Sequence, residues 1–206
     1  MERVITYIDG FNCYFGLKES GWKRYYWLDY PKLSKRLAAT LKTEVSLVAT
    51  KYFTSRISEP EDKRKRQSDY LEVLTARGSI EIFYGNYRHS HYKCTGCNRP
   101  NTIPNEKQTD VNIAVQMMID AHQDNFDTAM LVGGDSDLVP PINAIRNLFP
   151  KKRVMAVFPP KRISKQIRNA CNGFFHIGEI DLKNNLLPEE VTKPDGYTIR
   201  CPASWK

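Results

Sequence analysis

Strand-like and helix-like segments alternate along most of this chain, and that alternation restricts the fold more than any other feature. Residues 3–8 (RVITYI) have the β-branched and aromatic density of a buried strand and run into a turn at Asp9-Gly10. Residues 31–41 set Leu33, Leu37 and Leu41 at helical spacing, and 45–54 read as a second strand. A helix is expected over 59–77, with Pro60 and acids in its first turn, then a strand over 79–84. Helix 109–123, with Thr109 as its cap, precedes strand 128–132. Helix 139–148, strand 153–158, helix 164–171 and strand 174–177 complete the pattern. Such alternation implies right-handed crossovers and a mostly parallel sheet between two helical layers, a Rossmann-like three-layer α/β/α domain. The domain is expected over residues 1–181. Residues 85–108 are polar and rich in turn formers and read as an insertion or long loop. Residues 182–206, with Pro188, Pro194 and Pro202, read as a C-terminal tail.

Composition narrows the class. Of 206 residues 41% are hydrophobic and 26% charged, which excludes a mostly disordered chain. No apolar run approaches the length of a membrane-spanning helix, so no membrane partner is expected. The first residues lack the basic, apolar and small-residue order of a secretion signal. With five cysteines, an odd number, a reducing, cytoplasmic location is expected. The net charge of +8 is regional. Residues 138–178 hold eight Lys and Arg and no acid; without them, 23 bases face 23 acids.

In parallel sheets the working site lies at the carboxyl ends of the strands. Two expected strands end in acids there: Asp9 after the first, and Asp135-Ser136-Asp137 after 128–132. Asp110, in the first turn of a helix, shares a face with Ala114, Met117 and Ala121 and so points toward the sheet. Four carboxylates converging at one edge would repel one another unless a divalent cation joined them. All-oxygen ligands suit Mg²⁺ or Mn²⁺. Such an ion activates water and stabilises charge during attack on a phosphodiester. Asn12, Ser136 and Thr109 stand beside the acids, where each would orient a water or a phosphate. The plainer alternative is that Asp9 and Asp135 are turn or cap residues.

Tyr7-Ile8-Asp9-Gly10-Phe11-Asn12, Asp110-Val111-Asn112-Ile113-Ala114-Val115 and Leu131-Val132-Gly133-Gly134-Asp135-Ser136-Asp137-Leu138 resemble, in order, the three motifs of NYN domains. The resemblance covers roughly residues 1–180 and is strongest to the LabA-like subgroup of the PIN-like nuclease superfamily. It implies a PIN-like fold, a Mg²⁺- or Mn²⁺-dependent acidic site and RNA as substrate. It carries the functional acids onto Asp9, Asp110, Asp135 and Asp137. Gln116 departs from the pattern, standing where a second helix acid is expected.

Three further features bear on binding. Pro159-Pro160-Lys161-Arg162-Ile163-Ser164 follows a strand and opens a helix, which puts Lys161, Arg162, Ser164 and Lys165 at the acidic edge as RNA-phosphate contacts. Lys151-Lys152-Arg153 belongs to the opposite edge and reads as a solvated turn. The Lys63–Arg66 run, diluted by acids, reads as a salt-bridged helix face. Phe11, Tyr14, Phe15 and the aromatics at 22–27 either stack on unpaired bases or pack under the next helix. His89, His91, Cys94 and Cys97 put four potential zinc ligands into nine residues. They make either a structural zinc site or a reduced loop.

The reading that unites these features is a metal-dependent ribonuclease acting on single-stranded RNA. The alternative is a non-catalytic RNA-binding or regulatory module on the same fold. A phosphotransfer enzyme of another Rossmann-like family would need a second Asp two residues after the first-strand Asp, and Phe11 stands there.

Overall fold

Period-two alternation along the first strand, β1 (Glu2–Asp9), divides the core in two. Val4 and Ile8 enter one apolar cluster; Ile5 and Tyr7 enter the other. Asp9 shares the parity of Ile5 and Tyr7. The computed structural model describes residues 1–41, 43–93 and 95–206, with backbone alone for 87–92 and 100–106.

After β1 come α1 (Gly10–Glu19), α2 (Tyr30–Ala38), β2 (Val45–Ser55), α3 (Glu61–Arg77), β3 (Glu81–Lys93) and β4 (Pro100–Lys107). Then follow α4 (Thr109–His122), β5 (Thr128–Val132), α5 (Val139–Leu148), β6 (Arg153–Phe158), α6 (Lys165–Ala170) and β7 (Gly173–His176). The chain closes with α7 (Glu179–Asn184), β8 (Glu190–Thr192) and β9 (Thr198–Arg200). The main sheet runs β4-β3-β2-β1-β5-β6-β7, and only β4 is antiparallel to its neighbour. Helices α4 and α5 and the Ile167 turn of α6 cover the Ile5/Tyr7 face. The opposite face is covered by α1, α2, α3 and the C-terminal segments. This is the expected Rossmann-like α/β/α architecture of a PIN-like domain.

β1 pairs with β2 on one side and β5 on the other, so successive connections leave in opposite directions from the β1/β5 seam. A parallel sheet opens a crevice at the carboxyl end of such a seam.

The expected and observed structures differ in four places. Residues 85–108 are not a long loop: β3 continues to Lys93 and folds back as β4, with Asn86 opposite Lys107. Residues 10–19 form α1, whose Gly-Phe-Asn opening is weak in helix propensity. Thr109 does not cap α4; Gln108, with φ 74°, precedes the helix, and the buried Thr109 hydroxyl lies 3.4 Å from that of Ser55. Residues beyond 182 join the core: Leu182, Leu187, Val191 and Ile199 are buried, and Trp205 packs on Tyr26, Trp27 and Tyr70. Among the described residues no helix is long and apolar enough to cross a membrane.

Candidate active site

Asp9 ends β1 and caps α1, accepting from the Asn12 amide at 2.9 Å. The cap residue needs a short acceptor side chain, and Asp supplies it at only 5% exposure. Gly10 must lack a side chain: a Cβ there would fall 2.5 Å from the Tyr52 ring and 2.9 Å from the Phe53 carbonyl. Asn12 Oδ1 accepts from the Gly134 amide at 3.0 Å, tying the turn after β1 to the turn after β5 across the seam. Asn12 therefore holds the two turns together. The Cβ position at Gly133 lies 3.3 Å from Asp9 Cβ, so the two turns are in direct contact.

Asp135 accepts from the Asp137 amide at 3.0 Å and caps a short 3-10 turn, Ser136–Leu138, which leads into α5. Both motif acids are therefore local caps, as the plainer reading held, and both also face the seam. Ser136 and Asp137 are exposed. Gly134 admits the next loop: a Cβ there would lie 2.0 Å from the Arg162 carbonyl oxygen. The loop after β6 therefore rests on the acidic turn, at the edge expected for it.

Asp110 is half-buried at the start of α4. Burial, and then the charges of Asp135 and Asp137, push its carboxyl up to about 6. The helix segment and the β5 turn thus share one electrostatic site although 25 residues separate Asp110 from Asp135. Among the described residues, no three His, Cys, Asp or Glu side chains stand close enough to share one ion. Asp110, Asp135 and Asp137 are within electrostatic range of one another and Asp9 touches the β5 turn at Gly133, without closing into a ligand cluster. The donor set still suits a hard divalent cation. It is all oxygen, and burial together with the neighbouring charges of Asp135 and Asp137 holds a proton on Asp110 well above the ordinary carboxylate range.

The basic segment is less open than its composition implies. Arg162 pairs with Glu19, Arg153 with Glu2, and Lys152 with Asp124; Arg146 donates to the Ala170 carbonyl. Lys152 is buried and also donates to the Phe126 carbonyl at 2.7 Å, so it departs from the solvated-turn reading, whereas Lys151 is exposed in a turn and Arg153 is exposed at the start of β6. Ser164 serves as the cap of α6, accepting from the Ile167 amide at 3.3 Å. Lys161 and Lys165 are exposed and make no ion pair among the described residues. Along 63–66, Arg64, Lys65 and Arg66 pair with Glu61, Asp69 and Asp62, a salt-bridged helix face as read. Tyr25, Tyr26 and Trp27 belong to the core, whereas Phe15 is 40% exposed.

One charged group escaped sequence reasoning. Lys51 and Asp120 are buried and meet at 2.7 Å. Burial opposes the charge on Asp120, but hydrogen bonds from Lys51, Asn125, Tyr7 and Gln116 outweigh it and hold its carboxyl below the usual range. Gln116 is thus turned to this network. The signal was present: Asp120 falls on the apolar stripe of Ile113 and Met117, and Lys51 interrupts an apolar strand. Of the proposed zinc ligands, Cys94 and the side chains of His89 and His91 lie outside the described residues; Cys97 is exposed.

The profile of the NYN domain matches residues 3–180. The chain is 29% identical to 6-hydroxy-3-succinoylpyridine 3-monooxygenase HspA of Pseudomonas putida, over 70% of this chain and 55% of that protein. It therefore spans about half the length of that curated relative. The crystal structure of a protein of unknown function from Vibrio parahaemolyticus, VPA0982, superposes with a TM-score of 0.57 at 20% identity, covering 90% of this chain and 96% of that one. At that identity the likeness is one of fold. The profile takes in all three acidic segments and every strand of the main sheet, and on that match the chain belongs to the NYN domain family.

Proposed function

We propose that this NYN domain, of the PIN-like nuclease superfamily, is a metal-dependent ribonuclease that hydrolyses phosphodiester bonds of single-stranded RNA. One observation carries the reading: Asp110 of α4 and Asp135 and Asp137 of the β5 turn come within electrostatic range at the carboxyl end of the sheet, and burial first, then those two charges, raise Asp110 to about 6. A fold gains no stability from like charges gathered there, whereas a cation site needs them. Asp9, Asp110, Asp135 and Asp137 would hold Mg²⁺ or Mn²⁺, which when bound lowers the pKa of water and offsets charge on the phosphate. Asn12 keeps the two strand ends in register through Gly134. Ser136, exposed beside Asp135, orients a water or phosphate oxygen. Lys161 and Lys165 draw in the RNA backbone, with Arg162 and Ser164 holding the loop that carries them.

The experiment is cleavage of end-labelled single-stranded RNA with Mg²⁺ or Mn²⁺ against EDTA. Asp9→Asn and Asp135→Asn should each lose on the order of 100-fold in rate, the scale of removing a positioned acid–base or charge-stabilising group. Wild type no faster than these variants sinks the enzyme reading. The alternative, an RNA-binding or regulatory module, is favoured by Gln116, which stands in the expected place of a helix acid and bonds to Asp120 instead. Metal-independent RNA binding without turnover would select it.

A further inference from the structure

Beside the acidic end of the sheet lies a cavity of about 380 Å³ that the proposed chemistry does not use. Gly10 lines it, one residue from Asp9, so the cavity adjoins the reaction site. Its walls are aromatic: Tyr14, Tyr26, Tyr52 and Trp205. Tyr14 and Tyr26 have ring centroids 5.0 Å apart, and Trp205 meets Tyr26 edge-on at 5.7 Å. Lys18 and Lys63, both exposed, bring two cations to the lining, against one carboxylate from Glu59; half-buried Arg66 also lines it but is paired with Asp62.

We propose that this cavity holds one unpaired base of an RNA strand whose adjoining phosphate is presented to the acidic site. The proposal rests on the reading that RNA binds at that site. Every base has a π face, so an aromatic-walled cavity accepts any of them and selects for an unstacked strand rather than for a sequence. A paired base would first have to leave its duplex. The cations explain why the ligand is a nucleotide. Carboxylates at the sheet end repel phosphate, and Lys18 and Lys63 offset that repulsion on the approach. An apolar peptide or a small neutral heteroaromatic would use the rings and leave the cations unmatched.

The test uses the whole chain with a short single-stranded RNA in EDTA, read by fluorescence anisotropy. An abasic site moved along the RNA should weaken binding at one position by roughly 10-fold, the scale of one base–aromatic stack. Tyr14→Leu should lose the same factor, and the two losses should not add. Quenching of tryptophan fluorescence by AMP or UMP should disappear in Trp205→Phe. A flat abasic scan, additive losses, or quenching by a hydroxypyridine but by neither nucleotide overturns the proposal. The abasic scan needs only wild type, so it decides the matter even if Tyr14→Leu does not fold. One sensitive abasic position without cleavage in Mg²⁺ or Mn²⁺ keeps the base site and removes the nuclease reading. Cleavage with a flat scan does the reverse.

Discussion

Replacing Asp110 by Asn should stabilise the metal-free protein, by an amount that depends on pH. The Asp110 carboxyl is raised from 3.8 to about 6 by burial and by Asp135 and Asp137. The folded protein therefore holds this proton up to about pH 6, while the unfolded chain releases it near 3.8. Ionised Asp110 thus costs stability above pH 6, and the cost fades as pH falls from about 6 to about 4. At about 1.4 kcal/mol per pH unit the displacement sets a ceiling of roughly 3 kcal/mol. Asp110 is only half-buried, and solvent screening reduces the expected figure to about 1 kcal/mol. Urea unfolding in EDTA, followed by far-UV circular dichroism, measures it. Asp110→Asn should exceed wild type by about 1 kcal/mol at pH 7.5 and match it near pH 4. Added Mg²⁺ should raise wild type toward or past the variant, because ligand that binds only the folded state stabilises it. A difference constant across pH, or a variant less stable at pH 7.5, would refute the raised Asp110 pKa on which the reasoning rests.

Two further outcomes follow from contacts around the site. Lys51→Met removes the partner of a carboxylate that is itself 1% exposed, and should cost about 3 kcal/mol in urea unfolding, the scale of breaking a buried ion pair; a loss under about 1 kcal/mol would mean that Tyr7 and Asn125 alone satisfy Asp120. Gly134→Ala puts a methyl 2.0 Å from the Arg162 carbonyl oxygen and must displace the loop from the acidic turn. It should destabilise by about 1–3 kcal/mol, and RNA cleavage should fall while Ala at Gly96, where a Cβ meets nothing within 4 Å, leaves both unchanged.

How far the sequence was legible depended on how local each cause was. Asp9 and Asp135 could be read because a strand, a turn and an acid are adjacent in the chain, and Asp110 because helix phase alone turns it inward. The state of the basic residues could not. Glu19, Glu2 and Asp124, which neutralise Arg162, Arg153 and Lys152, lie 28 to 151 residues away and only the sheet order brings them near. Residues 100–107 carry two prolines and few β-branched side chains; the hairpin with β3 makes them a strand, not propensity. The C-terminal segment was opaque for the same reason, since Trp205 finds its partners at Tyr26, Trp27 and Tyr70.

The strand order has a consequence for biosynthesis. As the chain emerges from the ribosome, β1 can acquire β2 early, and β2 can acquire β3, because both follow within the first 93 residues. Its other edge belongs to β5, which begins only at Thr128. Until then the central strand β1 presents an unpaired row of amides and carbonyls, a template for pairing with another nascent chain. Slow delivery of residues 128–132, or their deletion, therefore favours aggregation over a partly folded monomer. Expression at reduced temperature or with a holdase chaperone should raise the soluble yield of this protein.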